Sequence, residues 1–145
     1  MGARSNIVVT GFTEPENSYS NISFAGDCVG ANIIVTGFDD LHGQRIYLYG
    51  HWMGMKHVKI LKDALKRGRG RWEDPSYLTR IIFSEMIKDD VMGERGFGIS
   101  PDLIDNEYPL LTVNVALQTV TLEGYKILSF EDFIKNGFPE EYKEV

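Results

Sequence analysis

Lys66, Arg67, Arg69 and Arg71 stand around Gly68 and Gly70, and Trp72 follows at once. That pattern suits an anion that carries a ring. Guanidinium groups grip phosphate oxygens through paired hydrogen bonds. Glycines let the backbone approach an anion closely. An indole can stack on a base or a ribose. A second candidate is His51-Trp52, at a point where a strand runs into a helix. There Trp52 could stack and His51 could donate to phosphate. Each stretch has a plainer reading beside it. The arginines could be charges on a solvated loop, and Trp52 could anchor a core while His51 caps nearby backbone.

Other side chains could in principle serve catalysis. The histidines are His42, His51 and His57, and none sits in a His-x-Ser or His-x-Thr pair. His51 and His57 do not have metal-ligand spacing. Cys28, the lone cysteine, reads as a small buried residue rather than a nucleophile. Asp102, Asp105 and Glu107 match no calcium loop. Gly93-Glu94-Arg95-Gly96-Phe97-Gly98 is glycine-rich but has no Gly-Lys-Ser/Thr, so it reads as a turn. No catalytic residue, metal or cofactor is expected from these patterns, and the balance leans towards binding rather than turnover.

Charge sharpens that leaning. Between residues 56 and 71, seven Lys or Arg face one Asp, a local +6 on a chain of net charge −6, which leaves −12 on the remainder. An acidic chain is a poor general nucleic-acid binder, because that affinity needs basic surface to displace counterions. A basic patch on it suits a compact anion. No apolar run is long enough to cross a membrane, and residues 1–5 do not have the look of a signal peptide. One cysteine fits a reducing compartment. The expectation is a soluble, cytoplasmic protein with no membrane partner.

The elements that must position these groups are legible as a pattern. Hydrophobic residues at 43% and charged residues at 25% describe an ordinary globular composition, and 145 residues suit a single domain, 1–145. Asn6–Phe12 and Asn32–Phe38 repeat nearly the same β-branched run, so both read as strands; shared propensity explains the repeat as well as duplication does. Residues 21–25 could be a short strand. Residues 45–50 alternate and should form a hairpin with the second copy. Residues 54–67 read as a helix with Val58, Leu61 and Leu65 on one face and Lys59, Lys62 and Lys66 clustered beside it. Arg69-Gly70-Arg71 reads as a flexible loop. Asp74-Pro75 is a good start for a second helix to about Lys88. Strands are expected at 96–100, 110–115, 119–122 and 125–128. Ser129 with Asp132 should cap a short final helix that Gly137 ends. Strands cluster rather than alternate with helices. The fold class is therefore α+β, a largely antiparallel sheet with two central helices and a short C-terminal helix.

Two motifs in this layout are specific. Arg4-Ser5-Asn6-Ile7 opens a strand, and His51-Trp52-Met53-Gly54 follows a Tyr-containing strand. The arrangement resembles a family of small tailed-phage proteins that begin with an Arg-Ser-x-Ile strand and carry a His-Trp-x-Gly motif. A strand pair followed by a short acidic helix, Phe130 to Lys135, extends the likeness in order over most of the chain. Met53 stands where that family carries an acidic residue, and the basic segment 56–71 is not a family feature. The resemblance implies a viral origin and a fold more than a function, and with the origin a host-cell location; small phage proteins of this size often counter host defences, and some are sponges for cyclic or ADP-ribose-derived nucleotides. Arg4 joins the candidate site through this resemblance. The expected function is to bind and sequester a phosphate-bearing signalling nucleotide without turnover. Arg67, Arg69 and Arg71 would hold phosphate, Trp52 and Trp72 would stack, and His51 and Arg4 would complete the pocket. A homo-oligomer sharing the site would desolvate the ligand well. Two other classes stay open: a small nucleotide or phosphodiester hydrolase using His51 or His57 as acid or base, and an inhibitor that docks an acidic host protein.

Overall fold

The structure, a computed structural model, describes residues 30–38 and 43–138. Arg4, the first copy of the strand repeat, the 21–25 strand, Cys28 and His42 lie outside the described residues. Six strands form one sheet: β1 (Ala31–Thr36), β2 (Arg45–Gly50), β3 (Phe97–Ser100), β4 (Leu111–Asn114), β5 (Thr119–Leu122) and β6 (Leu128–Ser129), in the spatial order β3-β2-β1-β4-β5-β6. All neighbours are antiparallel except β1 and β4, which run parallel. The fold is α+β, as the clustering of strands requires.

Register explains the core. Residues paired across strands share a face. Ile33 pairs with Leu48 on one side and Leu111 on the other, and Leu111 pairs with Leu122. Val35, Val113 and Val120 form the next row by the same pairings. These rows carry the buried core. The opposite face is more polar: one row runs Tyr47, Ile34, Thr112 and Thr121, and the next pairs Thr36 with Asn114 and Asn114 with Thr119. Ala31 to Val35 are all buried, the polar Asn32 among them, which is why Ile33 to Val35 read as an apolar run rather than an alternation.

Among the described residues there are three α-helices: α1 (Lys56–Arg67), α2 (Pro75–Ile87) and α3 (Phe130–Asn136). Within α1, His57, Leu61, Ala64 and Leu65 are buried, a spacing of four, three and one that defines a single face. That face meets the sheet, α2 and α3. Asp74 caps α2 by accepting from the Tyr77 N–H, and Pro75 takes the first helical position. Ser129 caps α3 by accepting from the Asp132 N–H at 3.0 Å, and Gly137, at φ +68°, closes it with its N–H on the Phe133 carbonyl. No helix among the described residues is long and apolar enough to cross a membrane.

Two expectations are corrected. Arg69–Arg71 is a single 3-10 turn, not a flexible loop. The Arg71 N–H bonds the Gly68 carbonyl at 2.7 Å, and the Trp72 indole N–H bonds the Leu65 carbonyl at 3.0 Å, so the segment is pinned to the end of α1. The strand expected at 125–128 is only Leu128–Ser129. The chain turns before it, with Gly124 at φ +89° and the Tyr125 N–H on the Leu122 carbonyl.

Candidate functional site

The side chains singled out above fall at two separate places. His51 and Trp52 sit between β2 and α1, at the end of the sheet where Gly50 pairs with Ala31 and Phe97. Arg67 to Trp72 sit past the far end of α1, where Gln118 reaches the Trp72 carbonyl from the β4–β5 turn. Twelve residues of α1 lie between, a rise of about 18 Å. One compact ligand does not bridge these two groups, and Arg4 is not described.

The first place is an aromatic corner. Tyr49 Oη and His51 Nδ1 are hydrogen-bonded at 2.8 Å. The His51 ring meets Trp52 edge-on, with centroids 4.8 Å apart. Trp52 is 55% exposed, so it is not a core anchor. It is nevertheless held: Gly96, at φ +99°, packs beneath the indole, and a Cβ there would lie 2.5 Å from the ring. The His51 N–H also bonds the Gly96 carbonyl at 2.7 Å.

At the second place the cations are engaged within the fold. Arg67 donates to Glu85 at 3.2 Å, to the Ile81 carbonyl at 3.1 Å and to Ser84 Oγ. Glu85 is nearly buried and also accepts from Lys88 at 2.8 Å. The Lys88 hydrogen bond, with the one from Arg67 behind it, holds the Glu85 carboxyl below its ordinary pKa despite burial. Arg69 donates to Glu131 at 2.6 Å and lies 4.6 Å over the Trp72 ring. Arg71 lies 5.0 Å over Tyr77. Trp72 packs edge-on against Phe130, at 5.0 Å between centroids. These residues join α1, α2 and α3.

The space for a ligand lies elsewhere. A groove of about 530 Å³ runs between α1 and α3. Lys56, Lys59, Lys62 and Lys66 form one wall, with Asp63 the one acid among the lining residues. Met55, Val58 and Phe138 supply apolar surface, with Phe133 fully buried behind them. Lys59 is paired with Asp63 at 2.9 Å; among the described residues, Lys62 and Lys66 have no carboxylate partner within salt-bridge distance. Phe133 and Phe138 hold each other, their rings 5.6 Å apart and tilted by 56°. A second hollow of about 620 Å³, lined by Tyr125, Lys126, Leu128 and Asp132, shares Asn136, Gly137 and Phe138 with the first. The volume is that of a small-molecule site. Its chemistry is cationic at the rim and apolar at the floor. That suits an anion attached to a flat or greasy body.

The lysines of this groove were visible as the 59, 62, 66 cluster. Phe133 and Phe138 were not, because nothing local ties residues 133 and 138 to residue 59. Of the histidines, His57 is fully buried and its Nε2 donates to the Pro109 carbonyl at 2.9 Å. Burial lowers its pKa below the ordinary 6.5, against the smaller opposing pull of the Pro109 and Met55 carbonyls. It is a neutral core residue, out of reach of a dissolved substrate. Among the described residues, no three His, Cys, Asp or Glu side chains gather as a metal-binding group. Comparison of the chain with protein-family models, curated proteins and solved structures finds no match.

Proposed function

We propose that this protein binds a compact phosphate-bearing small molecule in the α1–α3 groove and sequesters it without turnover. The observation that carries the reading is the pairing of Lys62 and Lys66 with apolar surface from Met55, Val58 and Phe138 in one cavity. Ammonium groups without a carboxylate partner have hydrogen bonds to give to phosphate, and each charge-assisted bond contributes about 1.5–3 kcal/mol. The stems of lysines on a helix can lie along apolar surface while the heads reach out. A base or ribose can lie on the apolar floor. This assignment places the phosphates on the lysines of α1 rather than on Arg67, Arg69 and Arg71.

A signalling nucleotide of the cyclic or ADP-ribose-derived kind has both halves of that chemistry. The likeness of the Arg4 and His51-Trp52 motifs to a phage family agrees with a counter-defence role for such a sponge. The hydrolase reading now leans on His51 alone, since His57 is enclosed.

The test uses purified protein and a panel of cyclic di- and trinucleotides and ADP-ribose derivatives. After removal of free ligand the protein is heat-denatured, and what it releases is identified by mass spectrometry. Intact nucleotide in near-stoichiometric amount is the expected result. A shortened or opened product would mean turnover, and release of nothing from any member would remove the nucleotide reading.

A further inference from the structure

We propose that two copies of this chain join through the outer edge of β3, strand against strand, about a two-fold axis at Gly98. This pairing does not rest on the ligand reading above. Among the described residues no strand lies beyond β3. The two ends of the sheet differ. β6 is two residues long and runs straight into α3, which blunts that edge. β3 is four residues, Phe-Gly-Ile-Ser. It carries neither proline nor charge, the side chains that usually guard a bare edge. Ile99 on this strand is 56% exposed.

Register selects a second copy as the occupant. The His51 N–H bonds the Gly96 carbonyl at 2.7 Å, and β2 and β3 pair as Tyr49 with Gly98 and Tyr47 with Ser100. Bonding alternates along an antiparallel ladder. Gly96, Gly98 and Ser100 therefore direct their backbone groups to β2, and Phe97 and Ile99 turn theirs outward. Two outward residues with one between them make the edge complementary to itself. Laid antiparallel on a copy, Phe97 exchanges bonds with the partner's Ile99, Ile99 does so with the partner's Phe97, and Gly98 faces its own copy. Phe97 packs on the core, and the pairing lays the exposed Ile99 of the other copy beside it on the same face. Gly98 adds no side chain at the axis, and the space where a Cβ would stand is open. Charge agrees. Arg95 is the charge nearest the strand on one side and Asp102 on the other, and among the described residues neither joins an ion pair. Antiparallel pairing brings each Arg95 to the end where the partner's Asp102 stands. Gly96, at φ +99°, and Pro101 bound the strand, so the ladder stops there. So short a contact belongs with interfaces under about 1,200 Å², which give transient complexes. The α1–α3 groove lies on the side of α3, which packs on β5 and β6, and stays open in both copies.

Two measurements on the full chain test this. In sedimentation equilibrium over a rising concentration series, the wild type should approach twice the 16.4 kDa of one chain. Ile99→Lys changes an exposed side chain, so the thermal melt should stay near wild type while dimerisation weakens by about tenfold or more. A mass that stays at one chain throughout the series would overturn the proposal. A dimer that Ile99→Lys leaves intact would overturn it too, since the contact would lie elsewhere. Register is read by oxidation in a Cys28→Ser background. Facing residues of a non-bonded antiparallel pair have Cα atoms about 4.5 Å apart, within disulfide reach. Gly98→Cys should therefore oxidise to a covalent dimer. Ile99→Cys should not, because its two copies stand two residues out of register and beyond the limit of about 7 Å. Failure of Gly98→Cys to crosslink in a sample that sediments as a dimer would overturn the proposed axis.

Discussion

The two ends of one basic segment behave differently. Residues 56–66 present lysines to an open groove, whereas residues 67–71 turn arginines into contacts with α2, α3 and neighbouring rings. The difference follows side-chain chemistry. A guanidinium is planar and offers several donors at once, so it can join Glu85, Ser84 and the Ile81 carbonyl in one place. A lysine is a strongly hydrated point charge on a flexible stem, and it stays at the solvent edge. A dense run of positive charge in a sequence is thus not one site. Here its arginine part fastens helices and its lysine part faces a cavity.

Breaking the lysine side should give the largest effect. Lys62→Glu/Lys66→Glu removes two charge-assisted contacts, and affinity for a nucleotide captured by the release experiment should fall by about a hundredfold or more. The thermal melt should stay close to wild type, since these are surface changes. Retained affinity would move the ligand out of the groove.

Breaking the arginine side should do the reverse. Arg67→Ala leaves the nearly buried Glu85 with Lys88 alone, and the loss of folding stability should be about 1–3 kcal/mol in a denaturant titration. Half of the Arg67 side chain is exposed, which favours the lower end of that range. Ligand affinity should hold once the protein is folded.

A pH experiment sharpens the separation of the enclosed histidine from the site. The folded-state pKa of His57 is lowered, so the unfolded chain takes up the proton first. Its contribution to stability is complete above 6.5, and it is lost as pH falls below that value. The slope is at most about 1.4 kcal/mol per pH unit. His57→Gln can still donate to the Pro109 carbonyl and should flatten the slope in this window, before the carboxylates titrate. An unchanged slope would mean that another group sets the acid sensitivity.

The smallest effect is expected at Arg69. Its pair with Glu131 is exposed on both sides, so Arg69→Ala should cost less than about 1 kcal/mol and leave affinity almost unchanged. Should Arg69→Ala abolish binding while Lys62→Glu/Lys66→Glu does not, the arginine turn is the site and the comparison is reversed.

What the sequence determined by itself was local. The β-branched run of β1, the alternation of β2, the Asp74-Pro75 and Ser129 caps, the stop at Gly137 and the spacing of Lys59, Lys62 and Lys66 all arise from backbone geometry within a few residues. They were enough for the α+β class and the helix positions. Tertiary structure decided the rest. The parallel pairing of β1 with β4 brings residue 33 beside residue 111. α3 then lies along α1, so Phe138 lines a groove walled by lysines some seventy residues earlier. Arg67 finds Glu85 across eighteen positions. The length of α1 sets His51-Trp52 apart from Trp72, although the chemistry of their side chains alone had suggested a shared pocket. Periodicity and capping are properties of neighbouring residues, whereas charge partners and cavity walls depend on which distant elements the sheet order makes adjacent.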